Sequence, residues 1–180
     1  MTARLGKICP AQGTEAVRVL SARDSADFRE IRLEALLIDG RYFAASYEEE
    51  KDYTDDHWMR WCTERPDNCV MGLFAETELV GITTAMSWGE DATGRTVFFG
   101  RSFIKPEYRG KGLAALLYGA RIDWAKKNPL YTEGVVFHRE GNWLSKQINE
   151  KFGARYWQTR SMRWADGQVA DALWYKIQLR

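Results

Sequence analysis

Val17, Val19 and Leu20 make residues 17–21 a short predicted strand. Helical spacing takes over behind Asp24 and Ser25, either of which can cap a helix, and Phe28, Ile31, Leu33, Leu36 and Leu37 mark its apolar face. Residues 39–56 lose that periodicity; they are polar and acidic, with Glu48, Glu49 and Glu50 in a row. A second helix is predicted near Thr54, capped by Thr54 or Asp55 and carrying Trp58, Trp61 and Cys62, until Pro66, Asp67 and Asn68 break the chain. Three strands follow. Residues 69–75 and 79–88 flank Glu76, Thr77 and Glu78, a link short enough for a hairpin, and residues 96–104 follow a glycine-bounded turn over 89–94. A helix then runs to Asn128 and Pro129, residues 131–137 read as a buried strand, and residues 142–151 as a helix ended by Gly153. Strands over 156–164 and 172–179 close the chain around a turn at Ala165, Asp166 and Gly167.

With no internal repeat, linker or low-complexity segment, residues 1–180 are expected to form a single mixed α/β domain, with residues 1–15 as an N-terminal tail. Composition agrees: 45% hydrophobic and 28% charged residues suit a folded soluble chain, and eight Trp supply packing or flat ligand walls. No apolar run reaches the roughly 20 residues of a membrane span, and the start has no secretory core, so a cytoplasmic protein without membrane association is expected. Cys9, Cys62 and Cys69 are odd in number and lack metal-ligand spacing, which reads as reduced thiols and no metal site. The net charge of +1 is split along the chain. Residues 1–95 carry 11 basic and 18 acidic side chains, residues 96–180 carry 15 basic and 7 acidic. An acidic front and a basic back suit a cationic acceptor meeting an anionic cofactor.

The chemistry concentrates in residues 102–128. A strand end and a proline-bearing loop lead into Arg109, Gly110, Lys111 and Gly112 at the start of an amphipathic helix. The first-turn N–H groups of a helix have no internal partner, the helix dipole places positive charge there, and glycine lets an anion approach the backbone. This makes a pyrophosphate site. Gly110, Gly112 and Ala115 also satisfy a dinucleotide-loop pattern, although such a loop turns directly out of a first strand, whereas here several strands precede it. The remaining basic residues are scattered, so nucleic-acid binding is not expected.

Arg109-Gly-Lys-Gly112-Leu-Ala114 matches the Gln/Arg-x-x-Gly-x-Gly/Ala motif, preceded by Phe103, Ile104, Pro106 and Tyr108, and Asn142, Ser145 and Gly153 follow in register as a second motif. In these two motifs and in its order of elements, the chain resembles the GNAT superfamily of acyl-CoA-dependent N-acyltransferases. The resemblance implies a mixed, mostly antiparallel sheet of about seven strands flanked by helices and splayed between the fourth and fifth strands. It implies that the backbone N–H groups of Arg109, Gly110, Lys111, Gly112, Leu113 and Ala114 hold the pyrophosphate of acetyl-CoA, the co-substrate. Phe103 and Ile104 would pair with the pantetheine amides, and Asn142 would bond the pantetheine arm with Ser145 beside it. Asn142 is equally well placed to cap its own helix.

Acyl transfer to an amine needs a neutral nucleophile and an oxyanion donor, for which a backbone N–H of Phe103 or Ile104 is suited. The chain departs from the family at Asn149, which stands where many members place a tyrosine general acid, and residues 96–104 contain no carboxylate to act as base. A thiol of pKa about 8.5 leaves fairly well without help, and losing a general acid costs about 10² to 10⁴ in rate. His138, at a strand exit, is the leading proton acceptor and Glu140 the second; Tyr118 reads as core and His57 as surface. By analogy with the family, residues 41–61 would build the acceptor pocket. Phe43, Tyr47 and Trp61 would form its walls, and Glu48 to Glu50 or Asp55 would attract the amine. The expected function is transfer of acetyl from acetyl-CoA to a primary amine of a small molecule or peptide by direct attack in a ternary complex. A non-catalytic acyl-CoA sensor and an NAD(P)-dependent oxidoreductase remain open, as does a homodimer contact through Leu173, Trp174 and Tyr175.

Overall fold

The computed structural model describes residues 15–180. Cys9 and all of the expected tail except Glu15 lie outside these residues; Glu15 itself opens the first strand. Twelve principal elements follow: β1 (Glu15–Val19), α1 (Ser25–Asp39), α2 (Tyr47–Glu50), α3 (Asp55–Cys62), β2 (Asn68–Ala75), β3 (Glu78–Ser87), β4 (Thr96–Ile104), α4 (Ala114–Lys127), β5 (Glu133–Arg139), α5 (Trp143–Lys151), β6 (Arg155–Arg163) and β7 (Val169–Gln178). The strands form one seven-stranded sheet in the order β1-β2-β3-β4-β5-β7-β6. Every neighbouring pair is antiparallel except β4 and β5.

The helices cover the two faces of the sheet, with an irregularity in the β2–β3 register at Val80 that places Val80 and Ile82 on opposite faces. Val70, Ile82 and Phe103 meet Phe28, Ile31 and Ala35 of α1 and Trp58 and Cys62 of α3. Leu73 and Val80 meet Leu117 of α4, and Ala85, Val97 and Phe99 meet Tyr118 and Ile122. Phe99 and Phe103 are four apart and would share a face in a regular strand. A bulge separates them: Ile82 pairs with Phe103 but Thr84 pairs with Gly100, so Arg101 and Ser102 oppose Thr83 alone. Arg101 takes φ 51° there, the left-handed region that most side chains avoid. The bulge thus turns the last residues of β4 over.

Several boundaries move from the sequence expectation. The first strand starts two residues earlier, and its exit is fixed by the Leu20 N–H on the Val70 carbonyl at 2.8 Å. The acidic stretch is not all loop. Ser46 and Glu49 form a capping box around α2, with Glu49 Oε2 accepting from the Ser46 N–H at 2.7 Å. Strand β7 starts at Val169, three residues before the expected start, because the β6–β7 turn is tight. Trp174 and Tyr175 are buried inside the fold. No helix among the described residues is long and apolar enough to cross a membrane.

Candidate active site

Strands β4 and β5 pair only from Thr96·Glu133 to Phe99·Val136. Beyond that point β4 continues to Ile104 and β5 to Arg139 without pairing to each other, so both present open edges to a widening gap. The Lys105 N–H donates to the Val80 carbonyl at 2.9 Å, which makes Ile82·Phe103 a hydrogen-bonded pair and Gly81·Ile104 a non-bonded one. Phe103 therefore spends its main-chain groups on β3, while Ile104 turns its N–H and C=O into the gap. The Ile104 carbonyl accepts from Arg109 Nε at 2.8 Å.

A 3₁₀ turn over Pro106–Tyr108 leads to the glycine loop, and α4 begins at Ala114, later than the motif alone suggests. Gly110 and Gly112 hold φ of 76° and 78°, and a Cβ on either would meet nothing within 4 Å, so the space above them is open. The first helical bonds run from Ala115 to Gly112 and from Leu116 to Leu113, both at 3.0 Å. Among the described residues, no acceptor meets the N–H groups of Gly110 through Ala114. Five successive free donors at the positive end of a helix fit a diphosphate. Arg109 is engaged otherwise: besides Ile104 it reaches Asp39 Oδ2 at 2.6 Å, which ties the loop to the end of α1. Lys111 lies exposed, its Nζ 4.9 Å from the Tyr108 ring centre.

On the α4–α5 face, Asn142 caps α5: its Oδ1 accepts from the Ser145 N–H at 3.1 Å, which leaves the amide NH₂ free for a ligand. Asn149 is buried, with Oδ1 accepting from the Tyr118 hydroxyl at 3.0 Å and Nδ2 enclosed without a partner. The Arg121 guanidinium stacks 3.8 Å from the Tyr118 ring centre and donates to Ser102 Oγ at 3.0 Å and Thr83 Oγ1 at 3.3 Å, so it braces the bulge. Burial pushes the Arg121 pKa down, and none of the ion pairs among the described residues includes it. His138 faces α5, 4% exposed and stacked on Tyr175 at 5.3 Å. Its Nδ1 sits 2.9 Å from the Arg139 carbonyl, which can only accept, so Nδ1 carries the hydrogen and Nε2 keeps a lone pair with no partner. Burial holds its pKa below the usual value. Glu140 is exposed at the β5 exit, with its N–H on the Asp171 carbonyl.

The opposite face carries a cleft of ≈ 270 Å³ between α3 and the sheet, whose lining includes Trp61, Val70, Thr84, Met86 and Arg101. Phe43 lies nearby against Arg32, 4.8 Å from its guanidinium, whereas Tyr47 opens α2 and is not part of the lining. The acidic run does not line the cleft either. Glu50 is 1% exposed and forks onto Arg32 at 2.7 and 2.8 Å, Glu48 pairs with Lys51, and Asp55 meets Arg29 at 3.3 Å. Sequence reasoning missed Arg101 and Arg121. Arg121 was detectable as a cation on the apolar stripe of Leu117, Tyr118, Ile122 and Ala125; Arg101 depends on the bulge, which no pattern announces.

The model of the acetyltransferase (GNAT) family matches residues 28–140, well over half of the chain. No curated protein sequence matches. Among solved structures, the fold is similar to a GNAT-family acetyltransferase from Streptococcus pneumoniae, with TM-score 0.80 and 12% identity over 91% of this chain and 98% of that one. It is similar also to yncA, a putative acetyltransferase from Salmonella typhimurium described with its cofactor acetyl-CoA, with TM-score 0.79 and 19% identity over 93% and 95%. A third is RimL, a ribosomal L7/L12 alpha-N-protein acetyltransferase in complex with coenzyme A, with TM-score 0.73 and 13% identity over 94% and 96%. At these identities the likeness is one of fold. The oxidoreductase alternative is overturned: the glycine loop leaves the fourth strand of an antiparallel run, not the first strand of a parallel unit.

Proposed function

Because the chain belongs to the acetyltransferase (GNAT) family, we propose that it transfers acetyl from acetyl-CoA to a primary amine of a small molecule or peptide by direct attack in a ternary complex. The single observation that carries this reading is the row of unpartnered N–H groups from Gly110 to Ala114 above two left-handed glycines. They hold the diphosphate, with Lys111 as a nearby cation. The pantetheine arm then runs along the open edge of β4, with the Ile104 carbonyl accepting from its amide and the free amide of Asn142 on its other side, near Ser145. Residues 15–180 act as one catalytic domain.

The thioester lies in the gap between β4 and β5. Its carbonyl oxygen is met by the Ile104 N–H, a donor fixed before the charge develops. The amine attacks the carbonyl carbon, the tetrahedral intermediate collapses, and the C–S bond breaks to release the thiolate. A proton must leave the amine. His138 Nε2 carries a free lone pair but is enclosed on the α5 face, so it takes the proton through an intervening water, with Glu140, exposed at the strand exit, as the second acceptor. Asn149 cannot supply a proton, so the thiolate departs unassisted or is protonated from water. The acceptor occupies the cleft walled by Trp61, with Phe43 and Tyr47 at its margin.

Calorimetry with acetyl-CoA, followed by free-thiol detection with an amine panel, tests the reading. Binding plus thiol release supports it, absence of binding to folded protein overturns it, and binding without turnover across the panel favours a sensing role.

A further inference from the structure

The cleft between α3 and the sheet holds a cation, Arg101, that no carboxylate pairs with among the described residues. Arg101 rises from the β4 bulge, its guanidinium 4.5 Å from the Trp61 ring centre and its Nη1 3.7 Å from the Met86 sulfur. Those are its only side-chain contacts of this kind among the described residues, and no carboxylate pairs with it. The adjacent carboxylate, Glu50, has both oxygens taken by Arg32, whose Nη1 is itself buried without a partner. Asp67, also on the lining, is engaged by Arg65 at 3.2 Å, a pair of zero net charge. Two arginines thus share one carboxylate, and the cluster carries an excess of one positive charge. Burial, and then the charge of Arg32, push the Arg101 pKa down, and Glu50 offsets them only in part. A half-buried guanidinium against an aromatic face and a thioether, with nitrogens open to the cleft, is a good receptor for a planar anion, to which it donates in a fork.

We propose that the acceptor is an amine that also bears a carboxylate, of amino-acid size, and that Arg101 receives this carboxylate in the cleft. The inference rests on the acetyl-transfer reading above. It reverses the expected electrostatics, in which an acidic run attracts a bare cation. Arg101 stands three residues from Ile104 on the same strand, within about 10 Å, so a carboxylate held there leaves its amine close to the gap. Trp61, Val70 and Met86 give the rest of the acceptor an apolar wall.

The test compares free amino acids, their primary amides and the corresponding decarboxylated amines in a thiol-release assay, with acetyl-CoA affinity measured in parallel by calorimetry. The wild-type protein is expected to favour at least one free amino acid over its amide by about 10²-fold in kcat/KM, chiefly through KM. Arg101→Met is expected to erase that preference and leave the acetyl-CoA Kd unchanged; Arg101→Lys is expected to restore part of it. Acetyl-CoA binding with equal or better turnover of amides, with no turnover of any amino acid, or with an undiminished preference in Arg101→Met overturns the inference alone. Loss of acetyl-CoA binding by the wild-type protein overturns the acetyl-transfer reading and this inference with it.

Discussion

The mouth of α4 and the cleft beneath α3 both present positive charge, and they obtain it by opposite means. At the mouth, main-chain N–H groups and a helix dipole do the work, in a segment of five consecutive residues. At the cleft the charge belongs to a side chain on a strand bulge, Arg101, backed by the buried pair of Arg32 from α1 and Glu50 from α2 behind the lining. A backbone site tolerates drift in side-chain identity as long as its glycines remain. A side-chain site depends on ion pairing between distant segments and is the more fragile of the two.

The most damaging way to probe that contrast is to remove the buried carboxylate. Glu50→Gln leaves Arg32 buried without its counter-charge and is expected to cost about 3–5 kcal/mol of stability by chemical denaturation, while Arg32→Met combined with Glu50→Leu should recover most of that loss. A recovery to less than half would show that packing, not charge, holds this corner. At the mouth, Gly112→Asp strains a left-handed position and places a carboxylate against the diphosphate; a rise of about 5-fold or more in the acetyl-CoA Kd, measured by calorimetry on protein shown to be folded, is expected. Tyr118→Phe, between the two regions, leaves both polar atoms of Asn149 unpartnered and should cost about 1–2 kcal/mol. His138 gives a smaller, pH-dependent effect. Its native pKa is depressed below 6.5, so the stability due to its neutral burial is complete above that value and is lost as pH falls towards the native pKa. Wild-type protein should therefore lose more Tm between pH 7 and pH 5 than His138→Gln; equal losses would remove His138 from the account. Least of all, burial pushes the Cys62 and Cys69 thiols up to about 12. A Cys9→Ser variant should resist Ellman's reagent at pH 8 until unfolded.

The same contrast explains what could be read without coordinates. The open turn at Gly110 and Gly112 and the helix behind it were legible because their geometry is local, set by φ and by helix ends. The hairpins, the order of helices and the capping Asn142 are local too, and they stand within two or three residues of expectation. The cleft was misread. Glu50 belongs to a surface-like acidic run but is buried, because Arg32 eighteen residues earlier lies opposite it, and no periodicity couples the two. Arg101 occupies an ordinary strand position by sequence; only the extra residue opposite Thr83 turns it towards Trp61. His138 was located correctly at the end of β5, but its face, towards α5, follows from the pairing of Phe137 with Trp174.

Arg109 has a last implication. It moors the loop to Asp39 at the final residue of α1, and the same helix, seven residues or about 10 Å back, carries Arg32 and its tie to Glu50. One rod is therefore lashed both at the glycine loop and beside the α3 cleft before any ligand arrives. The entropic cost of aligning two reactants is met while the chain folds, and the visitors find the berth already set.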